Sequence, residues 1–146
     1  MTTISISSEL HVAAAKPATD DQAGYEALTF TEVEGVVNIG EFGDNSEDVT
    51  ATRLKDGRTE HFNGAKDGGE IQVQAISNAS DPGQIIVKAG SGTNTTHSFK
   101  IVDPNGNATY FFGRLANWTQ SERTASSYEG VAFTMRRNSD AVEVAA

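Results

Sequence analysis

Three histidines, twenty carboxylates and no cysteine are the residues from which any chemistry in this 146-residue chain would be built. His11, His61 and His97 stand far apart and share no metal-ligand spacing. His61 follows Glu60 in a polar stretch, which reads as a surface pair. The absence of cysteine excludes disulfides, zinc–thiolate centres and thiol nucleophiles. A serine nucleophile is normally presented on a strand–turn–helix elbow of Gly-x-Ser-x-Gly type. Gly90-Ser91-Gly92 instead follows a helical stretch and reads as its stop. Gly64-Ala65-Lys66-Asp67-Gly68-Gly69 holds glycines and a lysine, but its acid and its strand-flanked position indicate a turn rather than a phosphate loop. The aromatic run Tyr110, Phe111, Phe112 and Trp118 lacks the interleaved bases of a nucleic-acid stacking platform, Arg114 standing nearly alone, and reads as core. No motif for catalysis or for a cofactor emerges, so the expectation is a protein that is not an enzyme and takes no cofactor or metal.

Charge is the more informative chemistry. The net charge is −9, and it is unevenly placed. Residues 1–69 hold 13 acids against 5 bases, whereas residues 70–146 hold 7 against 6. Between Lys16 and Arg53 lie nine acids and no base: Asp20, Asp21, Glu26, Glu32, Glu34, Glu41, Asp44, Glu47 and Asp48. Gripping phosphates requires Lys and Arg, so this surface is unsuited to holding nucleic acid. Charge alone is explained by solubility or by a surface that repels DNA.

The elements that would position these residues are mostly strands. Length and 37% hydrophobic content suit one domain with one core. No apolar run nears the roughly 20 residues of a membrane-spanning helix. The first ten residues lack a basic-then-apolar leader, so a cytosolic setting is expected. The four Asn-x-Ser/Thr triplets, at Asn78, Asn94, Asn107 and Asn117, then carry no meaning as glycosylation sites. Residues 1–24 read as an N-terminal arm with a strand at Ile4–His11, closed by a turn at Asp20–Gly24 and becoming ordered against a neighbour.

Residues 25–146 read as the domain. Ala27–Thr31 alternates as a strand, and Gly35 bends the chain before Val36–Ile39. Asp48–Leu54 and Arg58–Asn63 flank Lys55-Asp56-Gly57 as a hairpin too polar to hold by itself. Ile71–Ile76 is a half-buried strand. Asp81 caps one short helix with Pro82 at its first position, Ile85, Ile86, Val87 and Ala89 on its buried face, and Gly90 with Gly92 as its stop. His97–Val102 and Ala108–Thr119 form a hairpin about Asp103-Pro104-Asn105-Gly106. Along the second of these strands, Tyr110, Phe112 and Trp118 fall on one face and Phe111 and Leu115 on the other. Val131, Phe133 and Met135 alternate in a further strand, and Ala141–Val144 supplies a last one. The total of about seven or eight strands and one helix gives a mainly β fold, a two-sheet sandwich or barrel with a short flanking α-helix.

Three segments in order carry a resemblance. These are Leu28–Gly43, the step Asp81-Pro82-Gly83-Gln84 with Ile85–Ala89, and Phe99–Gly106 followed by Tyr110-Phe111-Phe112-Gly113. Across roughly residues 25–145 they resemble the major tail tube proteins of long-tailed bacteriophages, and more closely those without a contractile sheath. Each motif is moderately specific, and their co-linearity is what counts. The resemblance implies rings of six subunits stacked into a hollow tube, with one sheet of each subunit lining a continuous inner barrel. It implies assembly in the host cytoplasm around a tape measure protein, with terminator and tail tip (initiator) proteins as partners, and a final place in the virion tail. Double-stranded DNA would pass through without specific binding.

With the resemblance, Glu32, Glu34, Glu41, Asp44, Glu47 and Asp48 are candidates for the lumen or its rims. Ile4, Ile6, Leu10, Arg53, Leu54, Arg58 and Phe62 are candidates for inter-subunit or inter-ring contacts. The competing reading is a phage decoration or fibre module, a β-sandwich that binds glycan or protein. It would place aromatics at loop tips, whereas here they fall within strands. An enzyme built on a carboxylate pair is a third and weaker alternative.

Overall fold

The structure, a computed structural model, describes residues 8–41, 43 and 45–145. Ile4, Ile6 and Asp44 lie outside the described residues, and for Asn45 only the backbone is described. Ten strands and two helices follow in the order β1 (Glu9–Ala13), α1 (Gln22–Glu26), β2 (Thr31–Val33), β3 (Val36–Ile39), β4 (Asn45–Thr52), β5 (Thr59–Asp67), β6 (Glu70–Ile76), α2 (Pro82–Gly90), β7 (His97–Val102), β8 (Ala108–Gln120), β9 (Gly130–Arg137) and β10 (Val142–Val144). The chain is mainly β, as its alternating strands require.

Eight strands form one antiparallel sheet in the order β2-β1-β7-β8-β9-β6-β3, with β10 pairing β8 beside the end of β9. The two ends of that path, β2 and β3, are consecutive in the chain and separated only by Glu34-Gly35. So short a link obliges the sheet to roll until its ends meet, giving a barrel left open at one seam. Gly35 makes the link with φ +77, a left-handed value that a side chain would oppose. Inside the roll are Leu10, Val12, Val33, Ile71, Val73, Phe99, Phe111, Leu115, Phe133 and Met135, and α2 contributes Val87. A second, smaller core on the outer face gathers Tyr25, Ala108 and Tyr110 with Leu28, Phe30, Phe112 and Val142. The tyrosines stack at 5.3 Å. β4 and β5 pair only with each other and stand apart as a two-stranded sheet.

Several expectations change here. The described part of the N-terminal arm belongs to the domain: β1 lies between β2 and β7 with hydrogen-bonded neighbours on both sides. Leu10, a candidate contact residue, is only 1% exposed. Buried in its own subunit's core, it is withdrawn as an inter-subunit contact. The turn expected at Asp20–Gly24 winds into a second helix, α1, because the Asp21 carboxylate accepts from the Gly24 amide at 2.8 Å and so caps it. That displaces the expected strand at 27–31 to Thr31–Val33. In α2 the buried residues are Gly83, Gln84, Val87 and Gly90, while Ala89 and Ile85 are exposed. The helix faces the sheet through glycines, because a Cβ at Gly83 would stand 2.2 Å from the Glu32 carbonyl oxygen. Trp118 joins the inner core instead of sharing a face with Tyr110. A bulge between Ala116 and Thr119, with Asn117 at φ 60, resets the alternation and stacks Trp118 on Phe133.

Candidate assembly surface

Among the described residues, the hairpin of strands β4 and β5 stands outside the rolled sheet. Its register pairs Val49 with Phe62, Thr50 with His61 and Thr52 with Thr59. Alternation therefore puts Val49, Ala51 and Phe62 on one face together with Glu60, the partner of Ala51, and Asp48, Thr50, Thr52, Thr59, His61 and Asn63 on the wholly polar other face. On the polar face the Asp48 carboxylate lies 3.2 Å from His61 Nδ1, so His61 meets an acid across the strand rather than its sequence neighbour Glu60. The Thr52 and Thr59 hydroxyls meet at 3.1 Å.

The tip is rigidly built. The Arg53 amide donates to the Arg58 carbonyl, and the Gly57 amide donates to the Arg53 carbonyl with Gly57 at φ +65. The Asp56 carboxylate accepts from the Arg58 amide. The Arg53 guanidinium lies 3.4 Å from Asp56 and 3.3 Å from Glu60, so local charges fix the loop. Leu54 projects from it with 103% exposure, more open than in an extended chain. From Ser46 to Asp67 no residue is buried. A two-stranded ribbon showing Val49, Leu54 and Phe62 to water lacks the packing that such ribbons need for stability of their own. Of the described contact candidates, Arg53, Leu54, Arg58 and Phe62 thus come together on this hairpin.

The acidic candidates do not converge on one patch. Glu32 lies exposed on β2, and Glu34 sits in the β2–β3 turn. The turn is pinned to α2: the Glu34 amide donates to the Asp81 carboxylate at 3.2 Å, and Gln84 Nε2 donates to the Glu34 carbonyl at 3.0 Å. Glu41 lies past the far end of β3, beyond the Gly40 amide that donates to the Gln72 carbonyl. Glu47 and Asp48 follow on β4. The described acids therefore form two groups at opposite ends of β3. Among the described residues no group of three or more His, Asp or Glu side chains is placed to hold a metal ion. No helix among them is long and apolar enough to cross a membrane.

Sequence reasoning missed a groove of about 560 Å³ between α2 and the ends of β6, β8 and β9, lined by Ile85, Ala89, Trp118 and Val131 with Lys88 and Gln120. Its apolar rim, Ile85 at 53% exposure, was expected to be core. Helical periodicity marked the apolar residues, but the spacing of Gly83 and Gly90, where a Cβ at Gly90 would meet the His97 ring, was the signal for the buried face.

Together these features define a class: a mainly β domain built on one rolled sheet, with a plugging helix and a projecting, unpacked hairpin. Among solved structures this fold matches a chain of the cryo-EM structure of the anti-feeding prophage (AFP) baseplate, 6-fold symmetrised, with a TM-score of 0.61 and 8% sequence identity. The match covers 99% of this chain and 98% of that one, so the two domains share the whole architecture. No protein-family model and no curated protein sequence matches the chain.

Proposed function

We propose that this chain is a structural protein of a phage-type tail, and specifically the subunit of its tube. Six copies close a ring, rings stack, and the hollow column passes double-stranded DNA to the host. The observation that carries this reading is the hairpin β4–β5, two long strands with exposed apolar side chains that, among the described residues, pair with no strand but each other. Such a ribbon is stabilised by neighbouring copies, and in a chain that must stay soluble before assembly its sparse apolar content limits premature association. A fold shared end to end with a chain from a six-fold symmetrised baseplate supports the setting.

Charge supports the channel. Six copies at −9 each bring about −54 to a ring. A wall of that sign repels the DNA backbone, so the genome slides without adhering. Screening over about 10 Å at ordinary salt confines the effect to a narrow bore. We place Glu32, Glu34, Glu41, Asp44, Glu47 and Asp48 at the lumen or its rims, and Ile4, Ile6, Arg53, Leu54, Arg58 and Phe62 at subunit contacts. Tape measure, terminator and tail tip proteins complete the partner set, and the assembled protein resides in the virion tail. Following the resemblance of residues 25–145, we extend the proposal to a tail without a contractile sheath.

The test is negative-stain microscopy of the purified protein, alone and with its initiator complex. Hollow tubes are the expected result. A chain that stays monomeric under both conditions and is missing from virions refutes the proposal.

A further inference from the structure

We propose that the hairpin tip of one copy seats in the α2 groove of the next, with Leu54 entering between Ile85 and Trp118. This contact rests on the polymer reading above but names its two surfaces. The first observation is a matched pair of defects on one chain: a fully exposed apolar knob, Leu54, and an open groove with apolar lining from Ile85, Ala89, Trp118 and Val131.

The second observation is where they lie. The hairpin is rooted at Glu70, the first residue of β6, through Gly68-Gly69. The groove begins at Ser77 and Asn78, immediately past the last residue of β6. A seven-residue strand of roughly 3.3 Å per residue separates the two by roughly 20 Å. No hairpin residue from Ser46 to Asp67 is buried, so the ribbon does not fold back along its own sheet. The knob cannot fill its own groove. A second copy can, and with the hairpin's root and the groove at opposite ends of β6 the contact repeats head to tail without closing on itself as a two-fold pair.

Charge agrees. Among the described residues, Lys55 and Arg58 flank the knob without an ion pair, whereas Arg53 is engaged by Asp56 and Glu60. The loop 121–129 borders the groove, joining Gln120 to Gly130-Val131, and carries Glu122 and Glu129, likewise outside the ion pairs. The Ser77 amide donates to the Glu129 carbonyl at 2.8 Å, fixing that residue at the groove's edge. Lys88 stands on the opposite wall, and Arg123 in the same loop is turned to Gln120 at 3.4 Å. The loop therefore offers two acids to the two bases of the incoming tip, while Lys88 faces the acidic side of the tip at Asp56.

The lack of cysteine makes a direct test simple. Leu54→Cys, Ile85→Cys and the double variant are prepared, treated with a short bismaleimide and run on a denaturing gel, with microscopy in parallel. The expected result is a ladder of covalent multimers from the double variant. Each single variant should give no more than dimer, at least tenfold less than the ladder. Leu54→Asp should weaken association of the otherwise native protein at least tenfold while leaving its melting curve in place. Tubes without the 54–85 ladder overturn this contact and leave the tube reading standing. A ladder without tubes supports the contact and removes the tube. Neither product overturns both.

Discussion

Removing the hairpin separates folding from assembly. Asn45 and Asp67 are register partners at its root, so residues 46–66 can be replaced by a two-residue Asn-Gly turn without moving the sheet. The excised ribbon buries no side chain, so the folded state forfeits almost nothing. Shortening the connection roughly tenfold removes about 2 kcal/mol of loop-closure entropy, since each doubling of length costs about 0.6 kcal/mol. The melting temperature should therefore stay level or rise by a few degrees.

Association should behave oppositely. Leu54 is fully open, and about half of Val49 and Phe62 remains to be covered. At about 1.5–3 kcal/mol for a complete aliphatic or aromatic side chain, the three together supply roughly 3–6 kcal/mol per contact. At 1.4 kcal/mol per tenfold, that is roughly a hundredfold to ten-thousandfold loss of affinity. Thermal unfolding by circular dichroism reads the first quantity, and sedimentation velocity across a concentration series reads the second. A fall of more than about 5 °C, corresponding to over 1 kcal/mol in a chain of this size, would make the hairpin part of the fold. Undiminished association would remove it from the interface.

Two further perturbations probe how the rolled sheet is fastened and what pH does to it. Gln84→Ala strips Nε2 from the Glu34 and Ile76 carbonyls and Oε1 from the Asn78 amide. With buried groups left unpaired, it should cost about 3 kcal/mol in denaturant unfolding, and a loss under about 1 kcal/mol would refute the clasp. Burial chiefly, with the charge of Asp20 adding to it and against the Ser139 hydrogen bond, pushes the Tyr25 hydroxyl up from 10.0 to about 12. The folded state thus holds that proton more tightly than the unfolded chain. Its stabilising contribution is complete below about pH 10 and is lost as pH rises towards about 12, on the order of 2–3 kcal/mol. Tyr25→Phe should flatten that alkaline loss, and an unchanged alkaline profile would place the cause elsewhere.

Much of the architecture was legible in the residues. Asp81 with Pro82, Lys55-Asp56-Gly57 and Asp103–Gly106 act through backbone geometry and capping within a few residues, so the tertiary environment had little to add. The alternation of Ile71, Val73 and Ala75 marked a half-buried strand for the same local reason. The mainly β class and the polar character of the hairpin were already set by composition and pattern.

Other assignments depended on which surfaces finally meet. Leu10 looks like any apolar residue of an arm until β2 and β7 close on both sides of it. The face of α2 was decided by Gly83 and Gly90, whose missing side chains admit the sheet, and Ile85 was left facing water although it is the more apolar residue. Trp118 changed faces through a bulge of one strand against another. Glu32 and Glu34 lie at one end of β3 and Glu41, Glu47 and Asp48 beyond the other, although they follow closely in the sequence. Pattern and local chemistry determine which residues seek burial or a turn, while distance along the chain carries no information about distance across a rolled sheet. Only the tertiary structure could bring α2, β8 and β9 together as a groove at the end of β6 opposite the root of the hairpin.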